Sequence, residues 1–434
     1  MYPVVFKNNS DQFTIMDVNY KGIWSFDKKH LLAYFSLLGD EHTAEYDELI
    51  GTVRDFVKQE QMPRECNFQP SYLARSIDTF GTGIITPPTP VIEVTDHCNY
   101  RCPWCYLPDE TGKGEKFSLD HFEHNIVFPL ISKFGLLDWC FSGGEPLTDV
   151  SRTVEMAAII NRNSLSILGR LPKQITLLTN GYELAKNAEL LVKSGIAHCQ
   201  VSLASPIPKK DVLLRRPPAS VDSYKNAIDG ISALKDWGAK VDINMVVLPR
   251  NKYHDSNIDD IEAMFDLADT LRIDKLRITP AIPTGRAFKN NYSFTADEYS
   301  IILNSVRRMK KKEREFVVDC PLDVEFEPDR PLFCGAGTQE AYINSIGECF
   351  PCNNLQDRSL CCSADHGADL ADIWLSSDIL RSLRQQEPIH EDCIGCADRV
   401  ICSGDCRALC FARYGVLNLD KKPVNCYTHN NGRR

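Results

Sequence analysis

The 434-residue chain has no apolar run approaching the roughly 18 residues that a membrane-crossing helix needs. Its opening, MYPVVFKNNSDQ, lacks the basic and continuously apolar regions of a secretory signal, so the expected compartment is the cytoplasm. A basic excess is missing too. Lys and Arg number 49 against 59 Asp and Glu, a net charge of -10, which excludes broad binding to phosphate backbones. Charged residues at 25% and hydrophobic ones at 43% exclude a disordered or fibrous chain, and the length leaves room for two or three folding units. Against this ordinary background stand eighteen cysteines. Without a secretory signal, that many thiols read as metal or cluster ligands rather than disulfides.

Three of them, Cys98, Cys102 and Cys105, fall in TDHCNYRCPWCY, a C-x3-C-x2-C loop closing an apolar strand, with Trp104 just before the last. Three thiolates on one tight loop can hold three irons of a cubic four-iron cluster and leave the fourth open to a chelating ligand. A structural zinc site closes its shell with four ligands, so a solitary three-thiol loop suits zinc poorly.

Around that loop the chain divides by pattern. Residues 1–80 predict strands at Val4–Phe6, Phe13–Val18 and Gly22–Ser25, then helices at Lys28–Leu38 and Glu41–Gln61. In the second helix Tyr46, Leu49, Ile50, Val53 and Val57 mark one buried face. The Gly/Pro-rich Gly81–Pro90 reads as a linker. Residues 91–315 alternate helices with strands near Val91–Val94, Leu136–Phe141, Ile175–Thr179, His198–Leu203, Val241–Val247 and Leu276–Thr279, which predicts a parallel α/β sheet. Function in such sheets collects at the C-terminal strand ends. There lie Ser142-Gly143-Gly144-Glu145-Pro146, Thr179-Asn180-Gly181 and Ser202, with Arg215 and Arg216 in the following loop. The glycine pair lets backbone approach a ligand closely, and its carbonyls can accept from an ammonium group. Asn244 and the turn Pro283-Thr284-Gly285-Arg286-Ala287 follow on the last two strands. The charged run Arg307–Glu315 reads as the solvated face of a helix. In residues 316–434, Cys334 is followed by Gly347 and Cys352, then by Cys393, Cys396, Cys402 and Cys406, and by Cys426. C-x2-C pairs also occur in zinc ribbons, so a zinc-stabilised scaffold is the non-enzymatic alternative.

The cysteine triplet with an aromatic before its third member resembles the signature of the radical S-adenosylmethionine (SAM) superfamily. That resemblance implies a partial (β/α)6 barrel whose 4Fe-4S cluster, on Cys98, Cys102 and Cys105, binds SAM and reductively cleaves it to a 5'-deoxyadenosyl radical. It assigns SAM contacts to Trp104, the Ser142–Glu145 turn, Asn180, Ser202, Arg215 or Arg216, and Asn244, with the Pro283–Ala287 turn lining the adenine end. The C-terminal cysteine spacing resembles the SPASM extension of peptide- and protein-modifying members. It implies two auxiliary iron-sulfur clusters, one on Cys334, Cys352 and Cys406, the other on Cys393, Cys396, Cys402 and Cys426. The extra cysteine that relatives place soon after the first is missing, so either Cys349 completes the first shell or one iron is open. Residues 1–80 resemble the winged-helix-like α+β recognition element of ribosomal-peptide maturases, in which a leader peptide adds a strand to a sheet edge. Together these imply a maturase that forms a thioether or carbon-carbon crosslink in a precursor peptide, with flavodoxin or ferredoxin as reductant. Maturation of a sulfatase by oxidation of a serine or cysteine is the alternative within enzymes. Neither nucleic acid nor membrane is expected as a partner.

Overall fold

The computed structural model describes residues 4–7, 12–17, 22–27, 29–31, 33–34, 47–59, 89–107, 112, 114–250, 255–320, 334–337, 339–363, 369–385, 390–394 and 406–417. The N-terminal part forms an antiparallel sheet of β1 (Val4–Lys7), β2 (Gln12–Asp17) and β3 (Gly22–Asp27) in that order. Helix α1 (Asp47–Gln59) buries Ile50, Val53 and Val57, the face its periodicity predicts. Trp24, Phe26, Leu31 and Tyr34 are buried with them, Phe26 stacking on Tyr34 at 5.8 Å and meeting Phe56 edge-on at 5.4 Å. Of the predicted helix Lys28–Leu38 only 29–31 and 33–34 are described, and Tyr46 lies outside the described residues.

The second sheet holds nine strands. Its centre is β4 (Thr89–Thr95), β5 (Asp138–Gly143), β6 (Gln174–Thr179), β7 (His198–Ser202), β8 (Lys240–Val247) and β9 (Lys275–Pro280), all parallel and paired in chain order. Side chains alternate between faces with period two. Ile92, Val94, Trp139, Phe141, Leu177, Val201, Ile243 and Ile278 join the main apolar core, with Ile126, Leu130, Met156, Leu234 and Phe265 from the surrounding helices. Glu93, Ser142, Thr176, His198, Ser202, Asp242, Asn244 and Arg277 occupy the alternate positions. On that face His198 Nε2 lies 3.0 Å from Asp242 and its Nδ1 3.0 Å from the Thr176 hydroxyl.

Two boundaries differ from expectation. Thr89 and Pro90, expected in the linker, open β4 and pair with Glu340 and Ala341; proline is tolerated at the start of a strand, and pairing with β5 begins only at Val91; residues 81–88 are outside the described set. The sheet also continues past residue 315. Beside β9 runs β10 (Val317–Asp319), beside β4 runs β11 (Glu340–Ile343), and β12 (Cys349–Phe350) closes the far edge antiparallel to β11. The cysteine-rich segment therefore shares backbone hydrogen bonds with the strand that carries the three-thiol loop. Arg314 departs from a solvated run: it is pinned to Asp269 and lies over the Phe265 ring at 5.2 Å. Among the described residues no helix is long and apolar enough to cross a membrane.

Candidate active site

Strand β4 delivers Cys98, Cys102 and Cys105 to the C-terminal strand edge, where each is partly exposed. The loop is held by its neighbours. Tyr100 N–H donates to Cys98 Sγ at 3.4 Å, and Cys102 Sγ donates to the Arg215 carbonyl at 3.3 Å. The turn expected to line the adenine end also grips this loop: Arg286 N–H donates to the Cys105 carbonyl at 2.8 Å, and Asn290 Nδ2 to that of Pro103 at 2.8 Å. A Cβ at Gly285 would come within 2.2 Å of the Tyr106 carbonyl oxygen. Trp104 packs beside the small cluster of Leu214, Ala287 and Tyr292.

The glycine pair serves the same loop. Gly144 N–H donates to the Thr95 carbonyl and Glu145 N–H to that of His97, both at 2.8 Å. A Cβ at Gly143, whose φ is +126°, would lie 2.3 Å from Thr95 O, and one at Gly144 2.1 Å from His97 O. The close approach inferred from the sequence is thus made first to protein backbone. Glu145, 1% exposed, is committed internally: its carboxylate accepts from Leu147 N at 3.0 Å, Thr179 Oγ1 at 2.8 Å and Asn180 N at 2.6 Å. Burial pushes its carboxyl up to about 7. Asn180 Nδ2 reaches Asn99 Oδ1 at 2.9 Å and Cys98 Sγ at 4.0 Å, so the end of β6 joins the site.

The two arginines separate cleanly. Arg215, 1% exposed, donates to the carbonyls of Asn180 and Ser223, pairs with Asp211 at 3.3 Å and lies 5.2 Å over the Tyr100 ring. It braces the loop from behind. Arg216 is exposed, in the left-handed conformation at φ 52°, beside Tyr292. Ser202 and Asn244 are register partners on neighbouring strands and both half-buried, with Asn244 Oδ1 accepting from Thr279 at 3.2 Å.

The donor set fits an iron-sulfur cluster. Burial pushes the Cys98 thiol up to about 11 and that of Cys102 to about 12, so only a bound cation displaces their protons near neutrality. Beside the thiols, Asn99 Nδ2 and Arg286 Nε are buried and make no hydrogen bond within the protein. Such orphaned donors beside sulfur suit the sulfides of a cluster.

Ser142 is tied into a second network that sequence reasoning missed. The Tyr106 hydroxyl lies 3.1 Å from Ser142 Oγ, the Tyr106 ring meets Tyr342 edge-on at 6.1 Å, and Tyr342 O–H donates to Glu93. Glu93 also accepts from Ser345 N at 2.7 Å and is 2% exposed; burial raises its carboxyl to about 7. Its pKa lies above the unfolded value of 4.5, so the protonated native form is favoured below about pH 4.5, and this stability is lost as pH rises to about 7. Chemical denaturation of the metal-free chain should therefore lose about 3 kcal/mol from this group over that window, and Glu93→Gln should flatten that part of the profile. An unchanged profile would remove the assignment.

Among the C-terminal cysteines, Cys334, Cys352 and Cys406 come together beside Ala336, Leu355 and Ala408. Cys406 donates to Cys334, whose sulfur also receives the N–H groups of Ala336 and Arg407; these hold that thiol well below its usual range. The N–H groups of Asn354 and Leu355 point at Cys352. Cys349 does not join them. It is paired opposite Ile343 on β11, sits in the main apolar core, and borders a cavity of about 120 Å³ with His121, Ile126 and Ile373. Strand parity turns it away from the other thiols. Cys362 is buried in the same core, and its N–H donates to the Cys349 carbonyl at 2.7 Å. Cys393 is buried, while Cys396, Cys402 and Cys426 lie outside the described residues.

A parallel α/β sheet that gathers three thiols and a glycine turn at one strand-end edge is an arrangement that can hold a metal cofactor. Residues 92–268 match the Radical SAM superfamily, so the chain carries a radical SAM domain. The chain is similar to the PqqA peptide cyclase of Rhodopseudomonas palustris, 24% identical over 346 residues that cover 78% of this chain and 85% of that one. Its fold is similar to that of Streptococcus suis SuiB bound to precursor peptide SuiA, with a TM-score of 0.67, 15% identity and 97% of both chains covered. It is also similar to anSMEcpe with bound AdoMet, with a TM-score of 0.61, 16% identity, and 80% of this chain and 95% of that one covered.

Proposed function

We propose that this chain matures a ribosomally made precursor peptide, forming an intramolecular thioether or carbon-carbon crosslink. The observation that carries the reading is the convergence of the three-thiol loop, the glycine turn and Asn180 at one strand edge, in a chain that begins with a separate antiparallel sheet. Its relatives include a peptide cyclase, and the neighbour whose fold spans nearly the whole chain was captured with a precursor peptide. The sulfatase-maturase alternative gives no role to residues 1–80. The zinc scaffold is set aside by the radical SAM domain.

Cys98, Cys102 and Cys105 hold the first cluster, which when bound supplies one electron to SAM and so gives the 5'-deoxyadenosyl radical. The carbonyls of the Ser142–Glu145 turn hold the SAM ammonium group, Ser202 and Asn244 its ribose side, and Arg216 its carboxylate. Arg215 positions the loop, its guanidinium being engaged with Asp211 and two carbonyls. A second cluster sits on Cys334, Cys352 and Cys406, a third on Cys393, Cys396, Cys402 and Cys426, and a flavodoxin or ferredoxin supplies electrons. The leader of the precursor adds a strand to the sheet of residues 1–80. Deleting those residues should weaken precursor binding at least roughly 100-fold while SAM cleavage survives. Unchanged peptide affinity, measured by fluorescence anisotropy, would defeat the leader assignment.

A further inference from the structure

The polar chain that begins at Ser142 ends in the cysteine-rich tail. Strands β4 and β11 stop pairing at Ile92 and Ile343. One residue on, the Glu93 side chain takes over from the backbone ladder: one carboxylate oxygen accepts from Ser345 N at 2.7 Å, the other from the Tyr342 hydroxyl. Both donors belong to the tail, and the Ser345 carbonyl in turn accepts from Phe117 N at 2.7 Å. Tyr342 and Glu93 are both buried, so water offers neither a substitute partner. The Tyr342 ring meets that of Tyr106 edge-on at 6.1 Å, and the Tyr106 hydroxyl lies 3.1 Å from Ser142 Oγ. The other ties of the Ser142–Glu145 turn run to the cysteine loop, through Gly144 N and Glu145 N, and to the end of β6, through the Glu145 carboxylate. The Ser142 hydroxyl adds a tie toward the tail. We propose that Glu93 and Tyr342 are positioning residues for SAM: through Tyr106 they hang the Ser142 turn on the tail, so that SAM affinity and tail order rise together. This rests on the reading that the Ser142–Glu145 turn holds the SAM ammonium group. A carbonyl cradle binds through hydrogen bonds that weaken steeply as distance and angle drift, so a turn released on one side binds less well.

The test uses the full chain, iron-loaded and kept without oxygen, with SAM itself as the probe. Equilibrium dialysis should show Tyr342→Phe and Glu93→Gln binding SAM roughly tenfold more weakly at unchanged iron content, the size expected when one buried charge-assisted hydrogen bond is lost. Ser142→Ala should weaken SAM by a similar factor, and Ser142→Ala combined with Tyr342→Phe no further than either alone, because both cut the same chain. Linkage adds a readout in the unmodified chain: SAM should slow hydrogen exchange across residues 340–347, and Tyr342→Phe should remove that protection. A lower melting temperature with SAM affinity unchanged in Tyr342→Phe and Glu93→Gln would make the network structural only and overturn the proposal. Additive losses in the double variant would overturn it too. So would exchange that SAM leaves unaltered, a result that needs no variant to fold. Gly143→Ala separates this failure from failure of the reading beneath it. Its added methyl meets Thr95 O at 2.3 Å, so it displaces the turn whatever the tail does. SAM affinity lost there but kept in the Tyr342 and Glu93 variants refutes the link to the tail alone. Affinity kept in all of them refutes the turn as the SAM site, and the proposal with it.

Discussion

Gly144→Ala should strip the chain of its first cluster. The added methyl would sit 2.1 Å from the His97 carbonyl oxygen, 2.3 Å from its carbon and 2.7 Å from Asp96 O, all of them backbone atoms one residue or two before Cys98. No rotamer relieves that overlap. Either the β5 turn retreats, breaking the 2.8 Å bonds from Gly144 to Thr95 and from Glu145 to His97, or the cysteine loop is displaced. Overpacking typically costs about 1–3 kcal/mol, and a backbone-on-backbone clash belongs at or beyond the top of that range. Because both contacts end on the loop, the loss should fall on iron retention more than on the rest of the fold. Iron bound per chain should drop by roughly four and SAM cleavage should vanish. Gly169→Ala is the control. It has a positive φ of 68° but nothing within 4 Å of its added Cβ, so it should cost about 1 kcal/mol and leave iron untouched. Full iron loading in the Gly144 variant would show that the turn does not press on the loop as described.

Arg215→Met carries the second large effect. The Arg215–Asp211 pair is 1% and 0% exposed, and removing one member of a buried pair leaves an uncompensated charge at about 3–5 kcal/mol. Asp211 keeps the Ser223 hydroxyl at 2.8 Å and Ala204 N at 2.8 Å, which softens the loss. The larger consequence is positional. Arg215 donates to Asn180 O, lies over Tyr100, and its own carbonyl accepts from Cys102. A fall in melting temperature together with a raised KM for SAM is expected. Arg216→Met should raise KM for SAM without the thermal loss, since that side chain is exposed. Equal thermal losses in both variants would contradict the division of labour between them.

How much of this was legible follows from the range of each contact. The loop Cys98–Cys105, the glycine turn and Asn180 were readable because spacing and strand-end position are local. The partner of the glycines was not, because Thr95 and His97 are about fifty residues away in the chain. Arg215 could have been separated from Arg216: Asp211 lies four residues earlier on the helix Pro208–Arg215, the spacing that puts an acid and a base on one face. The place of Cys349 in the main apolar core was not legible, because two-residue β12 carries no alternation to read.

The most direct test incubates the anaerobic, iron-loaded chain with SAM and dithionite and follows 5'-deoxyadenosine by chromatography. The unmodified chain should accumulate it, and Cys98→Ala should not. With a candidate precursor present, mass spectrometry should show the peptide two hydrogens lighter. An iron-loaded chain with its loop intact that yields no 5'-deoxyadenosine would contradict the account at its root.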